Sequence, residues 1–333
     1  MEYTGSPRKL LSVVVPCLDE EKVIRRTYNR LVEVLESIPD IEYELVFVDD
    51  GSEDRTISEL RSLQSENYRV RLVVFSRNFG HQMAVTAGIE HSSGDAVVLI
   101  DADLQDPPEI IKEMLLRWRS GVDVVYGVRA EREGETAFKR GTATIFYRLI
   151  NRISDVRIPL DTGDFRLMDR RVVRALLQLP ERDRFMRGMV AWLGFKQEPV
   201  RYVRAARAAG ETKYPLRKMI RFAFDGILSF SVAPLRLAIW LGFATATLAA
   251  LATLYAVLVR LLTKVWVPGW TFLLIAVCCI GGVQLVCLGV VGEYVGRVYG
   301  EAKKRPLYIV RERIGFTSMQ ERQVIERRAK SPL

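Results

Sequence analysis

The stretch AVVLIDADLQDPP, residues 96–108, contains the features that decide the fold of this chain. It opens with five uncharged aliphatic residues and turns abruptly acidic at Asp101 and Asp103. A short apolar run of this kind predicts a strand that is buried on both faces, as in a parallel sheet. The two carboxylates then follow the carboxyl end of the strand, where open α/β sheets bind their ligands.

The same pattern recurs on either side of this stretch. The predicted strands are 11–15, 44–48, 70–75, 96–100 and 122–126, and the predicted helices are 20–37, 56–64, 82–90 and 108–120. Strands that alternate with helices at this spacing predict a Rossmann-like, mostly parallel sheet with helices on both faces. No Gly-x-Gly-x-x-Gly follows the first strand, which disfavours a dinucleotide-binding domain.

Two long apolar runs, 237–259 and 270–291, contain no charged residue. At ~1.5 Å per residue each run is long enough to cross the ~30 Å hydrocarbon core of a bilayer. We therefore predict two transmembrane helices, against the alternative of two buried core helices. Basic residues lie before the first run and after the second, whereas the loop between them holds only Arg260 and Lys264. The positive-inside rule predicts that both ends face the cytoplasm.

Three further features narrow the class of protein. Basic and apolar residues mix over 214–235, which predicts an amphipathic helix in the headgroup region, with a plain surface helix as the alternative. The net charge of +9 suits anionic lipid or a phosphorylated substrate, and the absence of zinc spacing or a basic–aromatic pattern disfavours nucleic acid. Three of the four cysteines lie in an apolar run, so no disulfide framework is expected, and the polar N-terminus predicts no signal peptide.

Asp101 and Asp103 are two residues apart at a strand end, so their side chains can point the same way. Two adjacent carboxylates repel unless a proton or a cation joins them. A hard divalent ion, Mg²⁺ or Mn²⁺, would join them and keep positions open for phosphate oxygens. An Asp-x-Asp pair alone is weak evidence, and its place after the fourth strand is what supports a metal site.

Together these motifs resemble the family 2 glycosyltransferases of GT-A fold. The resemblance rests on VVVP at 13–16 with Glu20, on VDDGS at 48–52 and on DADLQDPP at 101–108. The last form is similar to that of dolichyl-phosphate mannose synthases and their bacterial polyprenyl-phosphate relatives. Two C-terminal spans resemble the bacterial group, which includes polyprenyl-phosphate glucosyltransferases and the undecaprenyl-phosphate aminoarabinose transferase. The resemblance covers about residues 11–315.

This resemblance implies an inverting transfer of a hexose to polyprenyl (undecaprenyl) phosphate at the cytoplasmic face of a bacterial inner (plasma) membrane. Glucose is the first expectation, with mannose or aminoarabinose as alternatives, and UDP is favoured over GDP as the nucleotide of the donor sugar. The chain would be a multi-pass enzyme of cell envelope glycosylation. The sequence leaves the lipid length and any homo-oligomer open.

The resemblance also assigns residues to roles. The expected nucleotide-binding residues are Pro16, Glu20, Asp49, Asp50, Asn78 and Asp101. The expected metal-binding residues are Asp101, Asp103 and Gln105. The expected lipid-phosphate-binding residues are Arg129, Arg140, Thr144, Arg207 and Lys213.

Asp161 and Asp164, in the motif DTGDFR at 161–166, are expected beneath the sugar as catalytic residues beside Asp101 and Asp103. They would orient sugar hydroxyls or the acceptor, and a base role for either stays open. The acceptor phosphate has a second pKa near ~6, so strong base catalysis is not required. For His81, which borders the expected donor pocket, a loop histidine without catalytic duty is the favoured interpretation.

The predicted domains are a cytoplasmic catalytic domain at 1–213, the amphipathic helix at 214–235, the anchor at 236–292 and a cytoplasmic tail at 293–333. A processive polysaccharide synthase is a rival, but the chain lacks Gln-x-x-Arg-Trp and two spans make a poor channel. A non-catalytic membrane partner and a small flippase are further rivals. The intact acidic and basic motifs argue against the partner, and the large cytosolic domain argues against the flippase.

Overall fold

The computed structural model describes residues 8–129, 162–182, 184–203, 233–263 and 269–316. These residues divide into two compact units. The first is an α/β unit formed by the described residues up to 203 together with 305–316, and the second is a helical unit formed by 233–263 and 269–304.

The α/β unit alternates strands and helices along most of its length. Its strands are β1 (Lys9–Cys17), β2 (Ile41–Asp49), β3 (Val70–Phe75), β4 (Ala96–Leu99), β5 (Val124–Arg129), β6 (Thr162–Asp169), β7 (Gln197–Tyr202) and β8 (Val310–Ile314). Its helices are α1 (Ile24–Glu36), α2 (Thr56–Glu66), α3 (His81–His91), α4 (Ile110–Arg119), α5 (Arg170–Leu177) and α6 (Met186–Trp192). All the strands and helices predicted up to residue 126 are confirmed, with shifted ends.

Within the described residues the strands form one eight-stranded sheet in the order β7-β5-β6-β4-β1-β2-β3-β8. Strands β1 to β4 are parallel to one another, and β7 is parallel to β5. Strand β6 is antiparallel to both β4 and β5, and β8 is antiparallel to β3. The predicted mostly parallel α/β sheet is therefore confirmed. The sequence did not predict β6, β7 or β8, and β8 lies within the predicted tail.

The central strands are buried on both faces, which explains their continuous apolar sequences. Val13, Val14 and Val15 of β1 have no exposed surface, and the same holds for Leu45 and Phe47 of β2. Helices on the two sides of the sheet cover such strands, so the side chains on both faces of each strand lie in apolar surroundings. Each side chain of this size contributes about 1.5–3 kcal/mol on full burial. This rigid centre carries the loops at its carboxyl edge.

The antiparallel insertion of β6 has a direct consequence for the site. Leu99 of β4 lies opposite Arg166 of β6. Continuing this antiparallel register by two residues places Asp164 opposite Asp101. The sheet therefore brings the DTGDFR motif beside the acidic loop that follows β4.

The helical unit consists of α7 (Ala233–Thr263) and α8 (Trp270–Ala302). Both are long and apolar enough to cross a membrane, over Pro234–Val259 and Ile275–Ala302. A spanning helix needs about 20 residues. Almost none of the described residues in these spans is buried, which argues against buried core helices. The two helices thus indicate membrane association. Most of the predicted amphipathic segment 214–235 lies outside the described residues.

Candidate functional site

The loops that follow β1, β2 and β3 are packed closely together. The N–H of Asp50 donates to the carbonyl of Cys17 at 2.9 Å. Gly51 has a φ of 77°, and a Cβ there would lie 2.5 Å from the backbone carbon of Arg77. Only glycine permits both this conformation and this approach. The structure therefore brings together four of the predicted nucleotide-binding positions, Pro16, Asp49, Asp50 and Asn78.

Asp50 fixes the loop between β3 and α3. Its carboxylate accepts hydrogen bonds from the N–H of Phe79 at 2.7 Å and from the N–H of Gly80 at 2.9 Å. Gly80 has a φ of 102°, which L-residues with side chains rarely adopt. Burial raises the pKa of Asp50, and the two backbone hydrogen bonds oppose that rise. Asp50 orders the loop directly, and its contact with a nucleotide stays a prediction.

Asp49 is fully buried, and only one of its two carboxylate oxygens accepts a hydrogen bond among the described residues. Its Oδ2 atom accepts from the N–H groups of Gly51 and Ser52, both at 3.2 Å. Its Oδ1 atom is buried and has no hydrogen-bond partner among the described residues. Burial raises the pKa of this carboxyl above its ordinary value. An unpaired buried acceptor is costly, so Oδ1 is a candidate acceptor for a donor group of a ligand.

The loop after β1 is held to the loop after β2. The N–H of Glu20 donates to Oγ1 of Thr56 at 2.8 Å, and the N–H of Asp19 donates to Oγ of Ser52 at 3.0 Å. Asp19 has a φ of 55°, a left-handed conformation that is uncommon outside glycine. Glu20, the fifth predicted nucleotide-binding residue, therefore lies at the same edge of the sheet.

The acidic loop after β4 is constrained by its own backbone. Asp103 Oδ1 accepts from the N–H of Gln105 at 3.0 Å, and Leu104 between them has a φ of 56°. A positive φ is unusual for leucine and stores strain that the surroundings must hold. Oγ1 of Thr27 supports the loop by donating to the carbonyl of Ala102 at 2.6 Å.

A buried hydrogen bond fixes the far end of this loop. The hydroxyl of Tyr202, at the end of β7, donates to Oδ1 of Asp106. Both residues are almost fully buried, with 4% and 1% of their surface exposed. The three acidic-loop positions predicted to bind metal, Asp101, Asp103 and Gln105, are thus carried on a loop that is anchored on two sides.

Asp101 lies among other carboxylates. Burial, followed by the nearby charges of Asp164, Asp106 and Asp103, raises the pKa of Asp101 to about 6, while His81 opposes the rise. A divalent cation would relieve this repulsion, so the donor set fits Mg²⁺ or Mn²⁺. Among the described residues, no group of three or more His, Cys, Asp and Glu could hold a metal ion unaided. A cation here would need oxygen ligands from a bound substrate as well.

Asp164 is surrounded by donors and positive charges. Its Oδ2 atom lies 3.2 Å from Nε2 of His81 and 3.1 Å from Nε2 of Gln82. Its Oδ1 atom accepts from Nε of Arg187 at 2.9 Å, and Nη2 of Arg166 lies at 4.0 Å. Burial tends to raise the pKa of Asp164, but Arg187 and His81 outweigh it and hold this pKa well below its ordinary value. A carboxylate in this state is a weak proton acceptor.

His81, the first residue of α3, lies close to two of the candidate catalytic carboxylates, Asp164 and Asp101. Its Nε2 atom is 3.2 Å from Asp164 and 3.9 Å from Asp101. Burial lowers the pKa of His81, but these carboxylates more than reverse the effect and raise it to about 9. The side chain is 40% exposed, so solvent screens part of this interaction. His81 is therefore a helix residue and not a loop residue, and its lack of catalytic duty stays a prediction.

Three side chains of this cluster were not identified from the sequence. Arg166 lies within the DTGDFR motif, so its neighbours were a signal that could have found it. Burial lowers the pKa of Arg166 to about 10, which leaves it charged at neutral pH. Gln82 bridges two elements, because its Oε1 atom accepts from the N–H of Met186 at 3.1 Å while its amide nitrogen donates to Asp164. For Gln82 and Arg187 the linear sequence gives no signal.

Several predicted site residues are not placed by the structure. Arg129 ends β5, but its side chain is outside the described set. The catalytic candidate Asp161 and the lipid-phosphate candidates Arg140, Thr144, Arg207 and Lys213 also lie outside the described residues.

Comparison with known proteins identifies the family of this architecture. A sequence profile described as "Glycosyl transferase family 2" matches residues 12–177. An uncharacterized glycosyltransferase of Bacillus subtilis (strain 168) is 50% identical over 305 residues, covering 92% of this chain and 94% of the relative.

Two further relatives carry more specific names. A protein of Escherichia coli (strain K12) named "Prophage bactoprenol glucosyl transferase homolog" is 41% identical, over 90% of this chain and 98% of its own length. The "Bactoprenol glucosyl transferase" of Shigella phage SfII is 42% identical, over 91% of this chain and 97% of its own length.

Among solved structures, the glucosyl-3-phosphoglycerate synthase of Mycobacterium tuberculosis has a TM-score of 0.48 and 21% identity, covering 66% of this chain and 76% of that one.

Proposed function

Since this chain belongs to glycosyl transferase family 2, we propose that it transfers one glucose from a nucleotide diphosphate sugar to polyprenyl phosphate. The family expected from the motifs is confirmed, and the chain is a glycosyltransferase. The observation that supports glucose and polyprenyl phosphate as substrates is the similarity to bactoprenol glucosyl transferases, at 41–42% identity over nine tenths of the chain. That similarity extends past residue 177 into the apolar helices, so it is not limited to the common family domain.

The donor site is proposed at the carboxyl edge of β1, β2 and β3. Pro16, Glu20 and Asn78 line this edge, and Asp49 offers its unpaired Oδ1 atom to a donor group of the base or ribose. Asp50 maintains the loop through Phe79 and Gly80. UDP is favoured over GDP as the nucleotide.

The diphosphate is proposed to lie over the acidic loop, with Mg²⁺ or Mn²⁺ held by Asp101, Asp103 and Gln105. When bound, the ion neutralises charge that develops on the diphosphate leaving group. The raised pKa of Asp101 supports this assignment, because it reflects burial together with the nearby negative charges of Asp164, Asp106 and Asp103. The positively charged imidazolium of His81 lies 3.9 Å from Asp101 and offsets part of this negative charge.

The reaction is proposed to invert the anomeric carbon. An oxygen of the lipid phosphate forms a bond to that carbon while the bond to the nucleotide diphosphate breaks. The phosphate is largely a dianion at neutral pH, since its second pKa is near ~6, and it needs no strong base. The low pKa of Asp164 fits a role in orienting the sugar or acceptor, with Asp161 as the other candidate.

The acceptor phosphate is proposed to bind Arg129, Arg140, Thr144, Arg207 and Lys213. Arginine suits this task because its planar guanidinium can hold two phosphate oxygens at once. We place the α/β unit at the cytoplasmic face of a bacterial inner membrane, with α7 and α8 as its spans. An impermeant thiol reagent should then label Thr263→Cys from outside intact cells and Lys303→Cys only after lysis. The reverse pattern would overturn this orientation.

The experiment that tests the activity uses membranes that contain the full chain. Labelled UDP-glucose is added, and the label in lipid extracted by organic solvent is measured. Asp103→Asn should abolish the lipid label, whereas the matched control Asp123→Asn, which changes an ion pair with the largely exposed Arg171, should keep it. Equal labelling by the Asp103→Asn variant would overturn the role of the acidic loop. Label recovered only with a mannose or aminoarabinose donor would favour those alternatives.

A further inference from the structure

We propose that the segment 308–313, which follows the second apolar helix, braces the donor-binding loop 76–80, and that Tyr308 is a positioning residue for donor binding. The naming of the donor as a nucleotide sugar rests on the proposed function. The brace itself rests on contacts within the α/β unit. The sequence predicted only a tail in this region.

The first contact is made by the backbone. Strand β8 pairs with β3 at the edge of the sheet, with a register irregularity between Val74 and Phe75. Just beyond this point, the N–H of Ser76 donates to the carbonyl of Ile309 at 3.0 Å. Ser76 is the first residue of loop 76–80. The segment 308–313 therefore follows β3 to the place where the loop begins.

The second contact is a line of aromatic rings. Tyr308 is 3% exposed, and its ring stacks on Phe75 with 4.8 Å between the ring centroids. Phe75 meets Phe79 edge to face at 5.6 Å. Phe79 is one of the two residues whose N–H groups bind the carboxylate of Asp50. The ring of Tyr308 thus supports Phe79 of the loop through Phe75.

The third contact fixes the helix that follows the loop. The hydroxyl of Tyr308 donates to Glu90 near the end of α3. Nε of Arg313 donates to Nε2 of His91 at 3.1 Å, while Nδ1 of His91 lies 2.8 Å from the carbonyl of Ala87. This arrangement requires the tautomer with the proton on Nδ1. Helix α3 begins at His81, so segment 308–313 contacts both the strand before loop 76–80 and the helix after it.

These contacts exceed what an edge strand needs. Covering the edge of β3 requires only backbone pairing, which β8 already supplies. Loops tend to be mobile unless side chains hold them, and this loop carries Asn78 and leads into His81. Only residues 303–307 separate α8 from Tyr308 in sequence. The chain that leaves the second apolar helix therefore becomes part of the support of the donor site.

The test compares variants of the full chain in detergent. Tyr308→Leu removes the stack and the hydroxyl, Tyr308→Phe removes only the hydroxyl, and Arg61→Gln is a control that breaks the partly exposed pair with Glu312 on β8. Three quantities are measured: hydrogen exchange of the peptide that covers 76–81, the Kd of UDP with Mn²⁺ by calorimetry, and the KM of polyprenyl phosphate. The expected result for Tyr308→Leu is faster exchange and about a tenfold rise in the UDP Kd, because the loop loses its preorganised position. The KM of the acceptor should not change in Tyr308→Leu, and none of the three quantities should change in Arg61→Gln.

Each outcome decides one part of the proposal. Unchanged exchange in folded Tyr308→Leu would overturn the brace, and faster exchange with unchanged UDP affinity would overturn its role in donor binding. An equal loss of donor and acceptor affinity would show a general structural defect instead. If Tyr308→Leu does not fold, Tyr308→Phe must still raise the UDP Kd about threefold for the loss of one hydrogen bond, and an unchanged Kd would overturn the proposal. If the unmodified chain binds no UDP, the donor assignment fails, and exchange still decides the brace.

Discussion

Replacing Asp164 by Asn tests whether the charge of this carboxylate holds the centre of the site together. The carboxylate links β6 to the start of α3 through His81 and Gln82, and to α6 through Arg187. Asparagine has nearly the same shape and retains one acceptor oxygen. It lacks the negative charge that compensates the neighbouring cations.

The expected loss of stability follows from the burial of these cations. The side chain of Arg166 is 4% exposed and that of Arg187 is 23% exposed. Removing one partner of a buried ion pair costs about 3–5 kcal/mol, since the other charge is left uncompensated. The retained acceptor and the partial exposure of Arg187 place the expected loss near the lower end, at about 3 kcal/mol. For a unit of about 200 residues this corresponds to a fall of about 6–12 °C in Tm.

The assay is thermal unfolding of the full chain in detergent at one fixed scan rate, with Asp123→Asn as the matched control. Asp123 pairs with Arg171, whose side chain is 71% exposed, and its other oxygen accepts from the N–H of Lys196. Asparagine keeps an acceptor for that N–H, so loss of the exposed ion pair should cost less than about 1 kcal/mol. Asp164→Asn should also lose turnover, because the group that orients the sugar or acceptor is changed. Equal Tm values for the two variants would refute the electrostatic role assigned to the Asp164 cluster.

Three further predictions address the metal, the acceptor and the protonation of the site. EDTA should abolish turnover and weaken UDP binding in calorimetry. Mn²⁺ should restore both in the unmodified chain but not in Asp103→Asn. Full turnover in EDTA would contradict the metal role. Arg129→Ala or Arg140→Ala should raise the KM of polyprenyl phosphate about tenfold or more and leave the UDP Kd unchanged, because a charge-assisted hydrogen bond contributes about 1.5–3 kcal/mol. Asp50→Ala should instead raise the UDP Kd and leave the KM of polyprenyl phosphate unchanged. The pKa of His81 is raised in the fold from 6.5 to about 9, so its stabilising charge is complete below pH 6.5 and is lost as the pH rises to 9. In EDTA, the Tm difference between the unmodified chain and His81→Gln should therefore shrink as the pH rises from 6.5 to about 9. Solvent screening makes this change smaller. A constant Tm difference would contradict the stabilising charge assigned to His81.

The elements that the sequence predicted well are those with one dominant signal. Strands β1 to β4 are apolar on both faces and end abruptly in polar residues, so their type and their functional edge could be predicted together. The two apolar helices were equally clear, because no charge interrupts 237–259 or 270–291. The motif at 101–108 gave the acidic loop, although its left-handed Leu104 could not be anticipated from composition.

The elements that the sequence missed depend on tertiary pairing. Strands β7 and β8 lie at the two edges of the sheet and are half exposed, so QEPVRY and VRERI lack the apolar runs of central strands. Strand β6 is central but carries the buried Arg166, which lies near the carboxylate of Asp164 and donates to the carbonyl of Gly163. The contacts of Gln82 and Arg187 with that carboxylate join residues more than twenty positions apart, and no local pattern encodes them.

The most direct test of the central claim is the structure of the lipid product. Purified full-length chain is incubated with undecaprenyl phosphate, UDP-glucose and Mn²⁺, beside a parallel set of other nucleotide sugars. Mass spectrometry of the extracted lipid gives the number of hexoses added, and NMR gives the anomeric configuration. The account predicts one glucose per lipid phosphate in β linkage, the inverse of the α linkage in UDP-glucose. A chain of several hexoses, an α linkage, or no lipid product with any donor would contradict it.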